Sequence, residues 1–189
     1  MLADCMAGDR TFGIVFLPKG AEERSLPLGS VGCSAYVEDS TMLPDGRANV
    51  LVSGRERFAL RRFVDSSAPY HIGEVDSYAD EPEAPDALEE PSERVRSLFE
   101  RVARAARALA DDRTPPPTLP DDPALIAFRV ASLIDIDNAD RQTLLESRSP
   151  TDRLRRMEEV LGGAVGALER RAAAHERAKG NGHGPGLLH

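Results

Sequence analysis

Residues 29–63 read GSVGCSAYVEDSTMLPDGRANVLVSGRERFALRRF. Apolar residues alternate with polar ones on both sides of the turn Pro44-Asp45-Gly46, namely Val31, Cys33, Ala35 and Val37 before it and Val50 and Val52 after it. Alternation with a period of two around a Pro-Asp-Gly turn predicts a β-hairpin with one buried face. A third strand carrying Phe58 and Leu60 is expected to begin just past Gly54, where the chain must bend.

Further apolar segments extend the predicted sheet. The continuous apolar run Phe12–Leu17 is typical of a strand that is buried on both faces. Phe63 falls out of phase with Phe58, which indicates a β-bulge near Arg61, and a second bulge is expected at Gly73. Bulges in short strands make a sheet curl, so we expect a small, strongly bent β-barrel of about five strands.

The second half of the chain is predicted to be helical. Residues 80–91, DEPEAPDALEEP, alternate carboxylates with prolines and predict an extended, solvated linker. Asp122-Pro123 and Ser149-Pro150 are N-cap and N1 pairs that begin helices, and the chain beyond His175 is expected to be disordered. The sequence therefore predicts an α+β protein, with a β-barrel subdomain and remnant N-terminal helix at 1–87, a helical bundle at 88–175 and a disordered tail at 176–189.

The hairpin also carries a family resemblance. The runs Val31–Ala35, Leu43–Leu51 and Gly54–Phe58, with Gly8–Val15 ahead of them, are similar to the N-terminal substrate-binding domain of ATP-dependent Lon proteases. That domain also occurs as a free-standing protein, and the resemblance implies a PUA-like barrel followed by helices. It marks these positions as the structural motif: Gly32, Cys33, Pro44, Asp45, Gly46, Gly54 and Phe58.

The resemblance also bears on the start of the chain. Residues 1–6 have the pattern of the last turns of a helix that Gly8 closes. In the family, a strand and the beginning of that helix come first. We therefore expect the chain to be truncated relative to the family, with the native start codon upstream of Met1.

Catalytic motifs are absent from the sequence. No Gly-Lys-Ser or Gly-Lys-Thr occurs, so there is no P-loop for ATP. A Ser-Lys protease dyad is not expected, because the two lysines, Lys19 and Lys179, lie in a predicted loop and tail where neither is desolvated. The histidines His71, His175, His183 and His189 show no metal-ligand spacing. We expect no enzyme activity, no cofactor and no metal.

Composition narrows the choice of partners. The net charge is −8, which disfavours nonspecific binding to nucleic acids or anionic membranes. The sequence has no apolar run long enough to cross a membrane and no secretory signal. Its two cysteines, Cys5 and Cys33, are interpreted as reduced structural thiols of a cytoplasmic protein.

Recognition of other polypeptides is the function that these exclusions leave. Outward or out-of-phase apolar residues form the candidate peptide-binding surface, and two arginines could clamp carboxylates of a bound segment: Tyr36, Leu51, Phe63, Tyr78, Arg55 and Arg57. The competing interpretation is that Leu51 and Phe63 pack against the helical half and that the arginines pair with local acids.

The primary hypothesis is a non-catalytic module that binds unfolded or degron-bearing polypeptides in a cleft between barrel and helices, as the resemblance implies. A protease or a chaperone is a candidate partner. One alternative is an RNA-binding PUA-like module, which the arginines at 55–62 favour and the net charge opposes. Another is a structural homodimer that pairs through a bare sheet edge.

Overall fold

The computed structural model describes residues 1–22 and 25–181. Its elements are α1 (Leu2–Ala7), β1 (Thr11–Val15), β2 (Val31–Met42), β3 (Ala48–Val64), β4 (Ile72–Ser77), α2 (Pro85–Leu109), α3 (Pro123–Leu133), α4 (Asn138–Glu146) and α5 (Pro150–Asn181). They form two compact units. The first comprises Met1–Glu81 with Asn138–Arg148, and the second comprises Pro82–Asp137 with the chain from Ser149 onward. The α+β class is confirmed, and α4 belongs to the unit that holds the sheet.

The predicted hairpin is confirmed as β2 and β3. Leu43 N–H donates to the Arg47 carbonyl at 2.8 Å, and Gly46 takes a φ of +85°. Glycine adopts that left-handed conformation without the steric cost that a Cβ imposes. The Asp45 carboxylate accepts from the Arg47 backbone N–H at 3.0 Å. Hydrogen bonds from the side chain and backbone of Arg47 lower the pKa of Asp45. The Pro-Asp-Gly sequence therefore closes the turn as expected.

The predicted number of strands is wrong. β3 runs without a break from Ala48 to Val64, and Gly54 stays paired with Ala35, so the two strands expected on either side of Gly54 are one. The described residues form a four-stranded antiparallel sheet in the order β1-β2-β3-β4. This sheet is open, with β1 and β4 at its edges, and the predicted closed barrel is not formed by the described residues.

Two predictions of burial are also wrong. Gly13 and Ile14 of β1 are exposed, so β1 is not buried on both faces. Val50 and Val52 were expected on the buried face of the hairpin but are exposed. β1 and β4 pair only with the other end of the hairpin. The end near the turn is therefore two-stranded, and nothing in the sheet covers its apolar side chains.

One of the two predicted bulges is confirmed. The register of β3 against β4 shifts between Leu60 and Arg62, as the phase of Phe63 indicates. Gly73 is not a bulge, because it pairs with Phe63 in a regular register. Its role is spatial instead, since a Cβ built at Gly73 would lie 2.8 Å from Leu60 Cδ1.

The two faces of the sheet are different. On one face Val31, Ala35 and Val37 are buried, as the alternation predicts, and α4 lies beside β2. The Gln142 side chain of α4 donates to the Val31 carbonyl at 3.0 Å. The other face carries the residues of the candidate site described below.

Three helices, α2, α3 and α5, share the core of the second unit. The predicted linker at 80–91 is wrong for most of its length, because α2 already begins at Pro85 and continues through Pro91. Proline is tolerated at the first helical position. Leu88, Ser92 and Val95 then form a buried stripe at helical spacing that the alternation of acids and prolines hides.

The N-terminus of α5 is held by contacts within the second unit. Ser149 Oγ accepts from Asp152 N–H at 3.1 Å, which confirms the predicted cap. The Glu83 carboxylate accepts from the N–H of Thr151 at 3.1 Å and also from its hydroxyl. Burial alone would raise the pKa of Glu83, but the hydrogen bonds from Ser149 and Thr151 and the charge of Arg153 together hold it below its usual value.

The C-terminal part differs from the prediction where it is described. α5 continues to Asn181, so residues 176–181 are helical rather than disordered. The rest of the predicted tail, with His183 and His189, lies outside the described residues.

Candidate functional site

The candidate site is a trough on one face of the sheet in the first unit. Its volume is about 710 Å³. Both edge strands contribute to it, β1 through Gly13 and Val15 and β4 through Gly73 and Val75. Its apolar lining is Phe12, Val15, Leu17, Leu26, Phe58, Leu60, Phe63 and Val75. The trough is therefore a mostly apolar cavity within one unit that is open to solvent.

Glycines opposite a large aromatic ring give the trough its depth. The Phe58 ring lies across the neighbouring strands at Gly32 and Gly13. A Cβ built at Gly32 would lie 2.6 Å from Phe58 Cζ and 2.6 Å from the Ile14 carbonyl oxygen, and one at Gly13 would lie 3.0 Å from Phe58 Cζ. Only glycine lets the ring lie this close to the backbone. Phe58 can therefore lie down on the sheet and leave the space above it empty.

The floor and the rim of the trough differ in exposure. Phe58 and Leu60 of β3 are buried and form the floor. Val75 on β4 is 49% exposed, and the Phe63 ring meets the His71 ring edge to face with centroids 5.7 Å apart. Asp9 is the one carboxylate among the residues found to line the trough, and no lysine or arginine of the described chain lines it. The lining is mostly apolar, with Asp9, Thr11, Ser34 and His71 as its polar side chains.

Of the predicted peptide-binding residues, Phe63 lines this trough. Two guanidinium groups stack on the Tyr36 ring, with Arg10 Cζ 5.4 Å and Arg55 Cζ 5.0 Å from its centre. Such stacking holds the ring in place on the sheet. Leu51 is 65% exposed on the end of the hairpin, away from the trough lining. The structure therefore does not bring these three residues into one surface.

Arg57 and Tyr78, also predicted to bind peptide, take part in contacts that tie the sheet to α4. Arg57 donates to the carbonyls of Leu145 at 2.7 Å and Ser147 at 2.6 Å, and also to the Asp80 carboxylate. The Tyr78 hydroxyl donates to the Glu146 carbonyl at 2.8 Å. We call this group the α4 clasp. Its side chains are engaged within the unit.

Several trough residues were not predicted as site residues. The sequence predicts Phe58 only as part of the structural motif and Leu60 as a residue of the third strand, and it predicts that Phe12, Val15 and Leu17 belong to a strand buried on both faces. The signal that could have found them is the pair of glycines, Gly13 and Gly32, on strands beside a phenylalanine. Glycine within a strand often marks a place where another group approaches the backbone closely.

Metal ligands and thiols are the next groups of interest among the described residues. They contain no group of three His, Cys, Asp or Glu side chains that could hold a metal ion. Cys5 and Cys33 are both free thiols. Across the described helices, none is long and apolar enough to cross a membrane.

Comparison with known protein families shows which family the chain belongs to. The model of one family, the ATP-dependent protease La (LON) substrate-binding domain, matches residues 1–162. The chain belongs to this family. The matched domain of LON is the substrate-binding part rather than a catalytic one, and the resemblance that the hairpin residues indicate is confirmed.

Relatives with the LON domain are much longer proteins. Lon protease 2 of Herpetosiphon aurantiacus is 30% identical over 148 residues, which cover 78% of this chain and 18% of the relative. Lon protease 3 of Sorangium cellulosum is 30% identical over 139 residues, covering 73% of this chain and 16% of the relative. The chain thus spans less than a fifth of the length of these relatives.

Solved LON domains share the fold. The N-terminal domain of a Mycobacterium avium complex Lon protease aligns with a TM-score of 0.59 at 17% identity, covering 80% of this chain and 89% of that chain. A Lon N-terminal domain protein from Xanthomonas campestris aligns with a TM-score of 0.54 at 23% identity, covering 82% and 78%. At these identities the likeness concerns the fold alone.

Proposed function

We propose that the chain is a non-catalytic binding module that engages unfolded or degron-bearing polypeptides in the trough. The observation that carries the proposal is an open apolar cavity of about 710 Å³ in a domain of the LON substrate-binding family. Burial of apolar side chains is the main driving force for such association. An apolar concave surface with few charged groups suits unfolded segments, which expose the side chains that folded proteins bury.

The RNA-binding alternative gains no support from the arginines that motivate it. Each of the four has a carboxylate within 4.0 Å: Arg55 with Glu38, Arg57 with Asp80, Arg61 with Asp76, and Arg62 with Glu74. Paired arginines on a chain of net charge −8 attract phosphates weakly. We therefore do not propose RNA binding as a second function.

The test is binding of the purified 189-residue chain to a permanently unfolded client. A reduced, carboxymethylated and fluorescein-labelled protein serves as the client, and its native form, labelled in the same way, serves as the comparison. Fluorescence anisotropy should show binding of the unfolded form only. Binding by this chain alone would mean that the module needs no ATPase or protease segment to hold a client. Equal binding to native and unfolded forms, or to neither, would refute the proposal.

A matched pair of variants tests whether the trough is the site. Val75→Asp places a charge on the rim, whereas Val50→Asp makes the same change at an exposed position outside the trough. Loss of one partly buried valine contact, together with the cost of burying a carboxylate, predicts about tenfold weaker client binding for Val75→Asp. Val50→Asp should bind as the unaltered protein does. Equal effects of the two changes would place the site elsewhere.

A further inference from the structure

We propose that α4 is a detachable helix, which leaves the sheet and loses its helical structure while the rest of the first unit stays folded. Arg57 is the residue that holds it in the docked state. This inference is independent of the proposed polypeptide binding. The length of α4, its small apolar contact and the position of its hydrogen bonds support it.

The length and sequence of α4 make it a weak helix by itself. It has nine residues, Asn138–Glu146. Isolated helices shorter than about 12–15 residues are marginal in water, because the first turn is costly to form. The Thr143 hydroxyl donates to the Ala139 carbonyl at 3.0 Å, a contact that slightly destabilises helices. The helical structure of α4 therefore depends on its contacts with the sheet.

The apolar part of those contacts is small. Of the nine residues of α4, all of them described, Leu144 is the one that is buried, with 2% of its surface exposed. By comparison, α2 buries six residues and α3 buries four. Burial of an apolar face supplies most of the stability of helices in proteins. Segments with few buried apolar contacts open at the lowest free energy, so α4 is expected to open before the other elements that surround it.

Hydrogen bonds at one end of α4 supply the rest of its attachment. The main-chain carbonyls of four successive residues accept from the sheet and from the chain that follows it: Arg57 donates to Leu145 at 2.7 Å and to Ser147 at 2.6 Å, the Tyr78 hydroxyl to Glu146 at 2.8 Å, and the Glu81 N–H to Arg148 at 2.9 Å. The last carbonyls of a helix have no partner within the helix and form the negative end of its dipole. Arg57 therefore caps α4 from a strand that lies 88 residues before Leu145.

The receiving side of this attachment does not depend on α4. Arg57 is paired with Cys33 in the register of β2 and β3, the two central strands of the sheet. Its guanidinium also contacts the Asp80 carboxylate, and its Cζ lies 5.4 Å from the centre of the Tyr78 ring. These contacts lie outside α4. They keep Arg57 in place when α4 leaves, so α4 can dock again on a preformed site.

Opening of α4 has a consequence for the connection of the chain. Residues 82–137 precede α4 and its flanking residues, the chain from Ser149 follows them, and both segments belong to the second unit. Opening therefore turns residues 138–148 into a flexible connection between two segments of that unit. It also uncovers Leu144 and breaks the hydrogen bond of 3.0 Å from the Gln142 side chain to the Val31 carbonyl. Docking of α4 is thus a conformational switch in the first unit that sets how freely this connection moves.

Hydrogen–deuterium exchange of the full 189-residue chain, read by mass spectrometry, tests for local opening. The protection factors of amides in residues 138–148 should be at least about tenfold lower than those in β2 and β3. Urea below the unfolding midpoint should lower the protection of the strands but hardly that of α4, because opening of a short helix exposes little surface. Equal protection of α4 and the strands, or an equal dependence on urea, would mean that α4 opens only with the whole unit and would refute the proposal.

A matched pair of variants tests the role of Arg57. Arg57→Met should lower the protection of α4 about a hundredfold, because two hydrogen bonds from a charged group are lost. Arg62→Met removes an exposed arginine of the same strand and should leave the protection of α4 within about twofold of that of the unaltered protein. In both variants the exchange of α4 should stay insensitive to low urea, which separates local opening from a general loss of stability. Equal protection of α4 in the two variants would refute the assignment of Arg57.

A milder change decides the question if Arg57→Met does not fold. Tyr78→Phe removes the hydroxyl that donates to the Glu146 carbonyl and keeps the aromatic ring. Loss of one neutral hydrogen bond should lower the protection of α4 several-fold and leave the protection of α2 and α5 unchanged. An α4 that is as well protected in Tyr78→Phe as in the unaltered protein would show that these carbonyl contacts do not hold it.

Discussion

Replacement of Arg57 by methionine should destabilise the first unit far more than the same change at Arg62. Both arginines lie on β3 and both pair with a carboxylate. The Arg57 side chain is 9% exposed and the Arg62 side chain 60% exposed. Methionine keeps most of the apolar stem of each side chain, so the comparison isolates the guanidinium groups.

The expected loss follows from the contacts of the α4 clasp. Arg57 donates to the carbonyls of Leu145 and Ser147 and to the Asp80 carboxylate. Hydrogen bonds that involve a charged group contribute about 1.5–3 kcal/mol each, so the two carbonyl contacts alone give about 3 kcal/mol at the lower end of that range. An exposed pair such as Arg62 with Glu74 contributes about 0–1 kcal/mol.

Urea denaturation followed by circular dichroism measures both free energies of unfolding. Arg57→Met should lower the midpoint clearly, and Arg62→Met should leave it nearly unchanged. Repeating Arg57→Met in an Asp80→Asn background should reduce its cost, because the partner charge is already gone. A loss below about 1 kcal/mol for Arg57→Met would refute the view that the α4 clasp holds the unit together.

Three further changes have defined outcomes. Gly163→Ala in α5 should raise the melting temperature by about 2–4 °C, because alanine is favoured over glycine in a helix by about 1 kcal/mol. A Cβ at Gly163 meets nothing within 4 Å, so the change costs no packing. The same change at Gly46, which has a φ of +85°, should lower the melting temperature. Gly32→Ala should destabilise the sheet several-fold more than Gly163→Ala stabilises α5, because the added Cβ at residue 32 would overlap the Phe58 ring. An unchanged midpoint in urea for Gly32→Ala would contradict this packing. The pKa of Glu83 is lowered in the folded protein. The stability that Glu83 contributes is therefore present above its pKa in the unfolded chain and is lost as the pH falls through its pKa in the folded protein. The Glu83→Gln variant should lose less stability between neutral and acidic pH than the unaltered protein, and identical pH profiles of the two would count against this role.

The elements that depend on neighbouring residues could be predicted from the sequence. The hairpin turn and the caps at Asp122 and Ser149 follow from local patterns of one to four residues. Such patterns are read directly, because the hydrogen bonds concerned join residues that are close in sequence.

The features of the fold that the sequence did not predict depend on contacts between residues that are distant in sequence. The alternation of apolar residues predicts a buried face for Val50, but it does not show how far the neighbouring strands reach. β1 and β4 do not extend to the end of the hairpin near the turn, so Val50 is exposed there. The acids and prolines at 80–91 hid a helix whose buried stripe becomes evident only beside its partners. Likewise, the trough depends on Phe58 lying across glycines of two other strands, and the sequence does not give the direction of that ring.

The placement of α4 has a consequence for synthesis of the protein. Both units are discontinuous, since residues 82–137 are made between the sheet and α4. At about 5–20 residues per second, a ribosome spends on the order of seconds on that interval. During this time the guanidinium of Arg57 lacks the carbonyls of Leu145 and Ser147, and its strand stays exposed to degradation and mispairing. Truncation at a single position does not yield either unit complete. A protein designed to contain only the first unit should therefore join residues 138–148 to the sheet through a short linker.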